Sequence, residues 1–174
     1  VTQGSSDIIV AVLDHGTQLD HPDLNVSSKS YDTETGRSPS QIWGNHGTAC
    51  SGIISAKTNN NLGVAGIAPN CPVMSISNQL MGTSDAPQKR ADGFNWAWRN
   101  GASVISNSWR SSTFSELLED AIQSAMTNGR NGLGCVVTFS AGNYDSNTVG
   151  YPARSLPDII VVGALSLSGK RKSS

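Results

Sequence analysis

Asp14 and His46 are the residues from which chemistry can be argued first. The apolar run Ile8, Ile9, Val10, Ala11, Val12, Leu13 ends in Asp14, which sets a carboxylate at the C-terminal end of a strand apolar enough to be buried on both faces. In a parallel sheet, that end is where ligands bind. His46 lies in the run Asn45, His46, Gly47, Thr48, Ala49, Cys50, Ser51, Gly52. Asn45 is a good N-cap, and Ala49, Cys50, Ile53 and Ile54 recur at helical spacing, so the imidazole is expected on a rim, at the first turn of a buried helix. Gly47, Ser51 and Gly52 are small enough for close packing of that helix. An imidazole can take up and return a proton near neutral pH, and a carboxylate beside it fixes its tautomer. Taken singly, the aspartate reads equally well as a loop cap and the histidine as a hydrogen-bonded rim residue.

The elements that must position these two groups alternate between strand and helix. After the first strand, the polar passage from Asn25 to Gln41 reads as a surface excursion with one edge strand. The helix beginning near His46 gives way to the loop Thr58 to Val64 and then to a strand from Val73 to Ser77. Asp85 with Gln88 resembles a capping box, and Ala91, Phe94, Ala97 and Trp98 carry a helix to its stop at Gly101. Thr113 with Glu116 repeats the device ahead of Leu118, Ala121, Ile122, Ala125 and Met126. Apolar runs at Val104 and Ile105, Cys135 to Phe139, and Ile159 to Leu165 supply further strands. Strands separated by helices predict right-handed parallel crossovers, and hence a three-layer α/β fold with a mainly parallel sheet.

The chain length of 174 residues suits one domain, residues 1–174, burying roughly 70% of the unfolded surface. Twelve basic residues against 13 acidic ones, a net charge of −1, give neither a nucleic-acid footprint nor a polybasic membrane patch. No apolar stretch approaches the ~20 residues of a membrane span. Val1 opens almost directly into the first strand, so the natural N-terminus is expected upstream. Cys50, Cys71 and Cys135 are odd in number and lack metal-ligand spacing; they read as small buried hydrophobes.

Several blocks then agree with one family. Val10 to Gly16, with His21, Pro22, Asp23 and Leu24 downstream, resembles the aspartate motif of the subtilisin-like serine peptidases, and Asn45, His46, Gly47, Thr48 resembles their histidine motif. Gly63 to Pro69 agrees as well, as do Ser140, Ala141, Gly142, Asn143 and Val149, Gly150, Tyr151, Pro152. The order and spacing match along nearly the whole chain. The resemblance implies peptide-bond hydrolysis by an aspartate–histidine–serine triad, with His46 as base and later acid and Asp14 orienting it. It implies that the Asn143 amide is the oxyanion-hole donor, after small residues Ser140, Ala141 and Gly142 that let a substrate approach. A turn asparagine before Tyr144 and Asp145 is the structural alternative.

By the same resemblance, Ser106, Asn107, Ser108 and Trp109 lie where an edge strand pairs with an extended peptide, with Ser108, Trp109, Ser140, Ala141 and Gly142 as substrate contacts. Arg110 stands where the family usually has glycine, and His15 where a small hydroxyl residue is usual; His15 is expected to face solvent. The loop offers a calcium ion the Asn60 amide and the carbonyls of Leu62 and Val64, with the Asp23 carboxylate nearby; an asparagine-rich turn is the alternative. A secreted or otherwise extracytoplasmic location is also implied.

The family's nucleophile sits in a Gly-Thr-Ser motif beyond the Asn143 region, and this sequence reaches Ser174 without it. The look-alike Gly82, Thr83, Ser84 precedes a different helix, where Ser84 reads as a helix-start residue. The expectation is therefore a piece of a serine endopeptidase that is inactive alone, with an unfinished apolar face covered by self-association or by a complementary C-terminal fragment. A non-catalytic peptide-binding module is the alternative. A nucleotide-binding domain is disfavoured because no glycine fingerprint follows the Asp14 strand.

Overall fold

The computed structural model describes residues 2–143 and 148–170; Val1, Tyr144, Asp145 and Ser174, touched on above, lie outside them. The apolar run ending at Asp14 forms β1 (Ile9–Asp14). It is followed by β2 (Tyr31–Asp32), α1 (His46–Ser55), β3 (Val73–Ser77), α2 (Ala86–Arg99), β4 (Ala102–Asn107), α3 (Glu116–Gly132), β5 (Val136–Ser140) and β6 (Ile160–Val162). The six strands form one sheet in the order β2-β3-β1-β4-β5-β6, and every neighbouring pair is parallel. All C-terminal strand ends therefore share one rim. Asp14, Asn107 and Ser140 stand on it.

Alternation along the strands divides the apolar residues between two faces. Ala11, Leu13, Met74, Ile76, Ile105, Val137 and Phe139 join Phe94, Ala97, Leu118 and Ile122 of α2 and α3 in the main core. Val10, Val12 and Val73 point the other way, where α1 packs over β1 and β3. Registers carry this second face outward through Val104 and Val136, and through Thr138 to Ile160 and Ser140 to Val162. There it is bare: Val136 is 38% exposed, Ile160 52% and Val162 57%.

Local chemistry differs from expectation in several places. Asn45 precedes α1, but with helical backbone angles its side chain makes no capping bond. The buried stripe of α1 is Gly47, Ser51 and Ser55, while Ile53 is 65% exposed, because the helix lies so close to the sheet that only small residues fit beneath it. Asp85 does not cap α2 either; its carboxylate pairs with Lys89 at 2.8 Å instead. The cap of α3 is Ser115, whose hydroxyl accepts from the Leu118 N–H, rather than Thr113. The last strand is shorter than its apolar run.

Candidate active site

The turn after β1 brings His46 over Asp14. Gly16, with φ +92°, lies against the Gln41 carbonyl, where an added Cβ would stand 2.0 Å from the oxygen. Gly47 abuts Gly16 in turn, with its own Cβ position 2.4 Å from the Gly16 carbonyl oxygen. Hydroxyls fasten this contact: Thr17 and Ser51 share a 2.6 Å hydrogen bond, and Ser51 donates to the Gly47 carbonyl at 2.8 Å. The Thr17 N–H donates to Ser75 at 2.9 Å and the Gln18 N–H to Thr48 at 3.0 Å. The first turn of α1 is thereby fixed to β3 and to the rim.

Asp14 is fully buried, and both of its oxygens lie 2.9 Å from His46 Nδ1. Its Oδ1 also accepts the His15 N–H at 2.7 Å. His46 has a 53% exposed side chain, so the ring is held at Nδ1 and open to solvent elsewhere. A buried carboxylate fixing Nδ1–H leaves Nε2 as the proton-accepting nitrogen. His15 is half-buried rather than turned to solvent, with its ring edge-on to His46 at 6.3 Å between centroids.

Cys50, expected to be no more than a small buried hydrophobe, belongs to this cluster. Its Sγ lies 3.7 Å from His46 Nδ1 and 3.7 Å from Ser108 Oγ. One turn along the helix from the histidine, the i+4 position was the signal. Burial, with Asp14 adding to it, pushes the thiol up, and the hydrogen bond with Ser108 only partly opposes this. Asp14, His46 and Cys50 bring ligand atoms within 4.8 Å of one another, yet both Asp14 oxygens are committed to His46. That is poor ground for a metal.

The run Ser106, Asn107, Ser108 and Trp109 is not an edge strand: Ser106 and Asn107 belong to β4, which is paired on both sides. β4 is central in the sheet, and the chain leaves it with Trp109 buried at 6% exposure, its indole N–H donating to the Leu13 carbonyl at 3.0 Å. Ser111 then bridges antiparallel to Tyr151. Ser108 stands beside the cluster, whereas the Trp109 ring is turned into the core. Ser140 ends β5 on the same rim and Ala141 and Gly142 follow it, with Gly142 at φ +94° and Asn143 exposed behind it. A 260 Å³ cavity beside them is lined by Arg110, Ser111, Gly142, Gly150 and Arg154, among others. Ser84 is an exposed residue ahead of α2, outside the dyad's hydrogen bonds.

Near the other end of α1, Asp23 is buried and accepts from the Asn60 amide at 2.7 Å and the Val64 N–H at 3.2 Å. The Asn60 oxygen is occupied by the Leu62 N–H at 3.1 Å. The donor types suit calcium, but here N–H groups meet the carboxylate, and among the described residues no oxygen cage is formed around it.

The family profile of the subtilases matches residues 5–174. The chain belongs to the subtilase family. Subtilisin E of Bacillus subtilis (strain 168) is 34% identical over 174 residues, covering 97% of this chain and 43% of the relative. The thermophilic serine proteinase of Bacillus sp. (strain AK1) is 36% identical over 166 residues, 95% of this chain and 40% of the relative. The calcium-dependent protease of Trichormus variabilis is 32% identical over 193 aligned residues, 95% of this chain and 27% of its own. The chain thus spans less than half the length of these serine-protease relatives.

Proposed function

We propose that this subtilase chain is part of a serine endopeptidase in which His46 acts as general base and then general acid, and Asp14 fixes its tautomer. The observation that carries the reading is the 2.9 Å contact of the fully buried Asp14 carboxylate with His46 Nδ1 on the rim where the strands end. The serine nucleophile is supplied by a part of the protein outside the described residues, and the Asn143 amide donates to the oxyanion. A peptide substrate lies extended along Ser108–Ser111 and Ser140–Gly142, main chain to main chain. Among the described residues no serine hydroxyl hydrogen-bonds His46, so the 174-residue chain is expected to be inactive alone. The bare face of Val136, Ile160 and Val162 is where the nucleophile-bearing segment packs; without it, copies of the chain associate through that face.

The protein works outside the cytoplasm on peptide or protein substrates. No helix among the described residues is long and apolar enough to cross a membrane. A calcium ion at this loop would be held by the Asp23 carboxylate, the Asn60 amide oxygen and the carbonyls of Leu62 and Val64; a melting temperature that neither chelator nor added calcium moves would remove this part. The name of the Trichormus relative favours it. The test of the whole is hydrolysis of a denatured protein substrate by the serine-bearing polypeptide. Loss of hydrolysis in His46→Ala and after treatment with a serine-directed phosphonate supports the reading, and hydrolysis that survives both refutes it.

A further inference from the structure

Arg90 occupies a position that helical periodicity reserves for the core. It lies on the buried face of α2 with Ala86, Phe94 and Ala97, and only 2% of it is exposed. Its guanidinium carbon stands 4.8 Å from the centroid of the Trp109 ring. Among the described residues a single hydrogen bond serves it, from Nη2 to the Met81 carbonyl at 3.2 Å, and Nε has no partner. Among the described residues no carboxylate comes within ion-pair distance. Glu34, the acid whose field reaches it, is itself paired with Lys89 at 2.7 Å. A buried cation is costly unless paired, and an orphaned donor in a folded interior calls for a partner. The indole face supplies part of the compensation, not a hydrogen-bond acceptor.

The same side chain lines a cavity of 310 Å³ with Leu80, Ala86, Pro87, Arg110 and Ser111. Arg110, Ser111 and Ser112 also line the 260 Å³ cavity that borders Ala141 and Gly142. The two cavities therefore flank one short segment, and a peptide extended along it sends separate side chains into each. On the peptidase reading, the cavity nearer Gly142 is taken to receive the residue beside the bond that is cut and the one over Arg90 a residue further from it.

We propose that the cavity over Arg90 is a substrate subsite for a carboxylate side chain, an Asp or Glu upstream of the scissile bond. A guanidinium fork matches a carboxylate in plane and charge, and in a desolvated site a neutral amide is a poor substitute. The inference rests on the peptidase reading above. Peptide pairs that differ only by Glu or Gln at each upstream position test it in the serine-bearing protein. At one position away from the scissile bond, kcat/KM for Glu exceeds that for Gln by at least about tenfold, and Arg90→Met levels the pair, mainly through KM. Equal rates for Glu and Gln at every position overturn the subsite, as does a preference for apolar residues throughout. If Arg90→Met does not fold, the contrast in the unaltered protein decides. If no peptide is cleaved, the peptidase reading fails. The subsite is then decided by calorimetric titration of the same pairs, with tighter binding of the Glu peptide supporting it and equal binding overturning it.

Discussion

The Asp14 carboxylate meets His46 Nδ1 with both oxygens at 2.9 Å while one of them also takes the His15 N–H at 2.7 Å. Replacing Asp14 with Asn removes the charge that stabilises the imidazolium and invites the wrong tautomer, while an oxygen still meets the His15 N–H. In the serine-bearing protein, Asp14→Asn is expected to lower kcat by about 10⁴-fold with KM little changed. A loss below tenfold would mean that the carboxylate does not orient the base.

Gly47 gives a prediction whose sign opposes helix propensity. Glycine to alanine inside a helix ordinarily stabilises by about 1 kcal/mol. Here the new Cβ would stand 2.4 Å from the Gly16 carbonyl oxygen, a backbone atom that cannot swing away. Gly47→Ala is expected to destabilise by about 1–3 kcal/mol, the usual cost of overpacking, and to shift His46 from Asp14. Urea unfolding measures it, and a stabilised variant would show that the α1 contact is looser than described.

Much of this site was legible in the sequence because it depends on where chain segments end. An apolar run closing on Asp14 and a helix opening at His46 suffice to put both groups on one rim of a parallel sheet. Main-chain and hydroxyl detail was not legible. The small residues Gly47, Ser51 and Ser55 form the buried face of α1, which an apolar-periodicity reading misassigns to Ile53. Ser115 caps α3 because Thr113 lies before the helical turn begins, a choice between neighbouring hydroxyls that spacing alone does not make. Trp109 read as a substrate contact, yet its ring is drawn inward by the Leu13 carbonyl and Phe139. Arg90 gave no signal, since a charge on one helix face is ordinarily solvated.

Cys50 supplies a pH test. Burial raises its thiol, so the folded state binds that proton more tightly than the unfolded chain, and the resulting stabilisation is present at low pH and lost as pH rises through the thiol range. Cys71 and Cys135 are buried, so iodoacetamide reaches Cys50 first. Its alkylation is expected to follow a pH midpoint above the ordinary thiol value of about 8.5, and Ser108→Ala to move the midpoint further up. A midpoint at or below the ordinary value would contradict the burial argument.

The bare face over β5 and β6 predicts association of the 174-residue chain. Sedimentation should show species larger than a monomer, returning toward monomer in Ile160→Lys combined with Val162→Lys. Both side chains are more than half exposed, so the stability cost of each change is within about 0.5 kcal/mol. A monomeric unaltered chain at micromolar concentration would show that this face needs no cover.

Labelling with a fluorophosphonate tests the central claim most directly, because the reagent reports a serine activated by the Asp14–His46 pair and nothing else in the fold. The 174-residue chain is expected to remain unmodified, Ser84 included. The polypeptide continuing past Ser174 should take up one equivalent at a serine in that continuation, and His46→Ala should abolish uptake. Stoichiometric labelling of Ser84, or of no serine in the longer polypeptide, would contradict the account.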